Sequence, residues 1–304
     1  MLFRSGQQFG DGAALGAVKF HSDTSRYFRH EVLRPFLDEH LRTNAARADL
    51  PPVLAFETGT NVWRRSRVWP AAEDKVADRA LYLQPGLKLA FSPPAQDQEF
   101  SEFVSDPAKP APFIRRPVQQ ASYEGTDRTW PRWLVEDQRD VASRPDVVVF
   151  VFDVLAAPVK IAGRPEAVLI ASTSGTDADW VVKLIDVHPE AAVSEASMGG
   201  YQLMVSADIF RGRYRESFER PKALASGEPL EYRFRLPTAH HVFRKGHRIM
   251  VQVQSSWFPL YDRNPQTFVE SIFKSRPGDY RRAVHRVFHS PARPSRLHLP
   301  VAGR

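Results

Sequence analysis

The 304-residue chain contains no cysteine. Disulfides, thiolate metal centres and a cysteine nucleophile are therefore excluded, while the compartment stays open. No apolar run approaches the roughly 20 residues that carry a helix across a bilayer, so no membrane partner is expected. The opening residues, MLFRSGQQFG, lack the apolar stretch of a secretory signal. Also missing is Gly-x-Ser-x-Gly, whose strained strand-to-helix turn presents a serine hydroxyl beside oxyanion-binding amides. Its absence rules out the common nucleophile elbow. A net charge of +7 and a pI near 9.7 invite a nucleic-acid reading, but the arginines stand singly or in pairs such as Arg64-Arg65 and Arg281-Arg282. Without a basic block or an interleaved aromatic ladder, no nucleic-acid partner is expected.

Present in excess is proline: 25 residues against 16 glycines, about one and a half times ordinary usage. Such a bias suits many short strands joined by rigid turns. Residues 10–20 read as a glycine-rich loop. Asp23 and Thr24 then offer N-cap chemistry for a helix to about Thr43, in which Phe28, Val32, Phe36, Leu37 and Leu41 form one apolar stripe and Pro35 predicts a kink. The breadth of that stripe predicts that part of it is left exposed. From Leu50 onward strands dominate. Tyr232, Phe234 and Leu236 alternate with Glu231, Arg233 and Arg235; Ile249, Val251 and Val253 alternate with Met250, Gln252 and Gln254; Leu203, Val205, Ala207 and Ile209 form another period-2 face. Val147 to Phe152 is apolar on both faces, as in a central strand, and Leu297, Leu299 and Val301 mark a last one. Residues 93–145 show little periodicity and read as a long excursion over the sheets. Many strands without alternating helices predict an all-β, two-sheet jelly-roll sandwich.

Ten histidines show no metal-ligand spacing. His240 and His241 are adjacent and face opposite sides of a strand, His285 and His289 have helical spacing within an apparent strand, and His247, between Gly246 and Arg248, reads as a turn residue. No metal and no cofactor are expected. Asp177 and Asp179 could serve acid–base work or calcium, but the surrounding Ser, Thr and Gly favour a tight connection between strands. Arg211, Arg213 and Arg215 alternate and read as a solvent-facing row paired with Glu216 or Glu219.

The strings SGTDADWVVKLIDV, RGRYRESF and FRKGHRIMVQVQSSWFPLYDRNPQT resemble the C-terminal jelly-roll domain of CocE/NonD serine hydrolases, the group of X-Pro dipeptidyl-peptidases and α-amino-acid ester hydrolases. RHEVLRPFLDEHL resembles the last helix of their α/β-hydrolase domain. The resemblance implies residues 1–45 as the tail of that catalytic domain and 46–304 as a galactose-binding-like jelly roll. It implies hydrolysis of a small ester, amide or short peptide by Ser-His-Asp, a homo-oligomer, and a periplasmic or secreted setting. The family serine and aspartate precede this sequence, and the family histidine aligns at Ser5, so no catalytic residue is assigned; His21 and His30 do not occupy the motif position. The chain alone is expected to be inactive. The alternative is a free-standing jelly-roll module binding carbohydrate or protein, since this fold hosts many functions.

Overall fold

The computed structural model describes residues 12–122, 129–191 and 196–303; Ser5 lies outside the described residues. Chain order begins with a ribbon, β1 (Ala14–Leu15) and β2 (Val18–Lys19), then α1 (Thr24–Tyr27), a π-helical turn (Phe28–Leu33) and α2 (Arg34–Leu41). A hairpin follows, β3 (Val53–Glu57) and β4 (Val62–Ser66), and then β5 (Ala77–Gln84), β6 (Lys88–Ala90) and β7 (Phe100–Ser105). Two short helices, α3 (Trp130–Val135) and α4 (Arg139–Ala142), precede β8 (Val147–Val151), β9 (Val159–Gly163), β10 (Glu166–Thr173), β11 (Asp179–Val187) and β12 (Gln202–Arg211). The last strands are β13 (Leu230–Arg235), β14 (Ala239–Phe243), β15 (Arg248–Gln254), β16 (Ala283–Ser290), β17 (Arg293–Pro294) and β18 (Arg296–Val301).

The expected all-β sandwich is present. One sheet runs β12-β11-β15-β8, antiparallel throughout. The other runs β6-β5-β18-β10-β16-β7, with β13 along the free side of β10 and the β9–β14 pair joined to β18 at Val301. A single parallel pairing, Lys88 with Val151, links the two. Trp180, Val182, Leu184, Phe150 and Val251 from the first sheet share one core with Leu81, Leu83, Leu169, Tyr232 and Leu299 from the second. Period-2 alternation holds where one face meets solvent: Tyr232 and Phe234 are buried and Glu231, Arg233 and Arg235 exposed.

The first sheet is covered on its second face as well. Phe113, Ile114 and Trp133 pack on Val181 and Trp257, and Ala111 and Val141 on Val147. The aperiodic excursion is thus a lid on that sheet, although it also contains β7, paired with β16, which the sequence pattern had hidden. The face expected from Leu203, Val205, Ala207 and Ile209 is divided by a bulge. Leu184 pairs with Ser206 but Ile185 pairs with Met204, leaving Val205 as the extra residue. Val205 turns to the central core, whereas Ala207 and Ile209 join the outer face.

The N-terminal segment splits in two. Asp23 caps α1 by accepting from the Arg26 amide at 2.8 Å, and Leu15 and Phe20 are buried with Phe56, Val135 and Leu203. The π-helical turn replaces a simple kink, with Pro35 in the first turn of α2, and the helix ends at Leu41 instead of Thr43. No residue of α2 is buried; Phe36, Leu37 and Leu41 are 47%, 40% and 76% exposed.

The β3–β4 hairpin hangs on β14 by its tip. Thr58 donates its amide to the His240 carbonyl and accepts from the Val242 amide, at 3.0 and 2.9 Å. The close approach requires glycine next door: at φ +88°, a Cβ on Gly59 would sit 2.2 Å from the Val242 carbonyl oxygen. Gly59→Ala is expected to destabilise the fold by about 2 kcal/mol, measurable as a lower midpoint in urea.

Candidate functional site

Every residue of β11 except its last is buried, because it lies between two strands and under cover on both faces. It nevertheless carries Asp179, Lys183 and Asp186, and each charge is met differently. At the N-terminal end, Asp177 accepts from Arg213 Nε at 2.8 Å and Asp179 accepts from Asn264 Nδ2 at 2.8 Å, with Arg211 3.6 Å away. Arg213 also donates to the Val269 carbonyl and stacks over Phe268. Burial raises both carboxyls, and the arginines and Asn264 pull them back toward the charged form. The arrangement knits three loops together and leaves the aspartates committed to ion pairs, as the connection reading expects.

The arginine row is corrected. β12 stops at Arg211, and Gly212–Tyr214 form a tight turn, so the three residues do not share a strand face. Arg213 is among the most buried side chains of the chain, because Asp177 needs a cation there; only Arg215 lies near Glu216, at 3.6 Å.

In mid-strand, Lys183 is fully buried on the lidded face, donates to Gln138 Oε1 at 2.8 Å as its one hydrogen bond among the described residues, and has the Trp257 ring 5.2 Å away. Burial pushes its ammonium down to about 7.

At the C-terminal end, Asp186 accepts from His241 Nε2 at 3.1 Å and from His247 Nδ1 at 2.8 Å. Burial opposes its charge, but those two hydrogen bonds win and hold the carboxyl at about 2. His188, just past β11, stacks against His247 with ring centroids 4.5 Å apart, and burial lowers it to about 4. His247 is therefore more than the turn residue its neighbours suggested. No local signal marks this cluster, since Asp186 and His247 meet only through the β11–β15 pairing. As expected, His240 and His241 diverge: His240 lies 3.3 Å from Glu57, while His241 faces Asp186. His285 and His289 are buried in β16, the latter bonded to Ser101. His21 is exposed in a left-handed turn and His30 is on the exposed helical segment.

Thr58 Oγ1 lies 2.8 Å from His241 Nδ1, which completes a hydroxyl–imidazole–carboxylate relay with Asp186. It is not set up for attack. The His240 carbonyl, 3.0 Å from the same hydroxyl, competes with the imidazole for its single proton. The Thr58 and Val242 amides, which could have bound an oxyanion, are spent on backbone pairing.

Two concavities adjoin these groups. One of about 440 Å³ is mainly apolar, between the hairpin, Phe28, Trp69 and His240. The other, about 880 Å³, is polar and bounded by Gly16 and Ala17 of the ribbon, Arg115, Arg132, Glu136 and Tyr201. Burial raises Glu136 there.

The family described as the X-Pro dipeptidyl-peptidase C-terminal non-catalytic domain matches residues 44–298. Cocaine esterase of Rhodococcus sp. (strain MB1 Bresler) is 31% identical over 280 residues, 89% of this chain and 45% of that enzyme. A selenomethionine-labelled α-amino acid ester hydrolase structure is 56% identical with a TM-score of 0.91, covering 97% of this chain and 48% of that one. An aminopeptidase from the marine sediment archaeon Thaumarchaeota archaeon is 49% identical with a TM-score of 0.92, over 98% and 48%. The chain thus spans about half the length of these relatives.

Proposed function

Because the chain belongs to the family of the X-Pro dipeptidyl-peptidase C-terminal non-catalytic domain, we propose that it is the non-catalytic half of a serine hydrolase of the CocE/NonD kind acting on small α-amino-acid esters, amides or short peptides. On this reading the serine, aspartate and histidine belong to a preceding α/β-hydrolase domain whose tail is residues 1–45, and the sandwich forms one wall of the substrate cleft. One observation carries it. The 880 Å³ polar cleft is bounded by Gly16 and Ala17, within the glycine-rich stretch that follows the catalytic histidine in the family pattern, which supports the reading of this face as a wall of the substrate cleft. The exposed face of α2 fits the same arrangement, as a surface that a hydrolase sheet covers.

Two measurements test the proposal. The purified chain is expected to hydrolyse no amino-acid ester and to take no label from a serine-directed fluorophosphonate. Mixed with the N-terminal half of the 56%-identical ester hydrolase, it is expected to restore ester hydrolysis that neither half shows alone. Stoichiometric labelling of the chain by itself, or failure of the halves to associate, overturns this reading. Specific retention on a glycan array in place of complementation favours the free-standing binding module.

A further inference from the structure

We propose that Asp186, His188 and His247 form a binding site for one divalent transition ion of the zinc class. One donor atom from each lies within 4.8 Å of the others, a spacing from which small side-chain shifts reach a single ion with bonds of about 2.0–2.2 Å. Two imidazoles and one carboxylate are the donor set of zinc, cobalt and nickel, and are poor in oxygen for calcium or magnesium.

The site is supported as metal ligands usually are. Asp186 is held at its second oxygen by His241, 3.1 Å away, and His241 is fixed in turn by Thr58 at 2.8 Å. That chain leaves Asp186 Oδ1, now facing His247 Nδ1 at 2.8 Å, as the oxygen for the ion. Binding replaces the proton shared by His247 and Asp186, which leaves to solvent. Burial of Asp186 and His247 sets the inner part of the site, while the half-buried His188 leaves an entry path. Three protein ligands leave a further position for water. The ion would fasten the end of β11 to the turn before β15, a structural role independent of the hydrolase reading.

The test uses the tag-free full chain, dialysed against chelator and titrated with Co²⁺ and then Zn²⁺. Saturation at about one ion per chain, visible cobalt absorption of a low-coordinate nitrogen-and-oxygen site, and a melting temperature several degrees higher with zinc are the expected results. His188→Ala is expected to weaken binding by at least about tenfold, within the range for losing a ligand or its support. His188→Tyr keeps an aromatic ring there and is expected to lose binding equally. Double substitution of the exposed His30 and His40 by alanine leaves binding unchanged. No saturable ion, or equal affinity in wild type and both His188 variants, overturns the assignment and leaves Asp186 as a histidine-paired structural carboxylate only.

Discussion

Arg213→Ala is expected to cost about 3–5 kcal/mol of folding stability, because it leaves the Asp177 carboxylate buried without its cation. The guanidinium holds Asp177 at 2.8 Å, the Val269 carbonyl at 2.8 Å and the Phe268 face, so three loops lose their common anchor. Urea unfolding of both proteins measures the difference. Adding Asp177→Asn to the variant is expected to recover a substantial part of the loss, since an amide tolerates the site better than an unpaired charge. The pH dependence gives a second readout. Burial raises Asp177 even with Arg213 present, and removing the cation raises it further. A carboxyl raised in the folded state favours folding below its unfolded value near 4 and loses that advantage as pH climbs through the folded value. The variant is therefore expected to lie closer to wild type in acid than at neutrality. A deficit independent of pH and untouched by Asp177→Asn would assign the cost to packing alone.

Lys183→Met acts in the opposite direction and is expected to stabilise the chain by about 2 kcal/mol at pH 6. The ammonium is pushed from 10.5 to about 7 by burial, a displacement worth roughly 5 kcal/mol at about 1.4 kcal/mol per unit. Against it stand the Gln138 bond, the Trp257 contact and the cost of orphaning Gln138 Oε1. Below pH 7 the folded state bears the full penalty of a buried charge. Between about 7 and 10.5 the unfolded chain binds more protons than the folded one, so wild-type stability rises with pH. The advantage of methionine should therefore be largest in acid and shrink toward pH 10, as thermal melts at a series of pH values would show. A destabilised variant whose deficit persists across that range would mean that the ammonium is better satisfied than its single bond indicates.

These residues also mark where sequence reading succeeds and fails. Strands with one wet face, such as β13, were legible because Tyr232 and Phe234 alternate with charges. β11 defeats that logic: Asp179, Lys183 and Asp186 look like solvent-facing positions and are all buried, the first two on the face under the aperiodic lid and Asp186 on the opposite face against His241 and His247. The bulge at Val205 is a backbone event with no residue-type signature, so a continuous apolar face was expected where two half-faces exist. The histidine cluster needs pairing partners 61 residues apart and could emerge only once β11 and β15 were side by side. The resemblance in three long strings, by contrast, carried the family directly, since it depends on order of residues and not on knowing what they touch.

Thr58 joins two things that the chain keeps far apart. Its backbone bears the hairpin's weight on β14, and its hydroxyl steers the imidazole that clamps Asp186. One threonine thus belongs at once to the seat of the hairpin on β14 and to the hydrogen-bonded chain that ends on a carboxylate of β11.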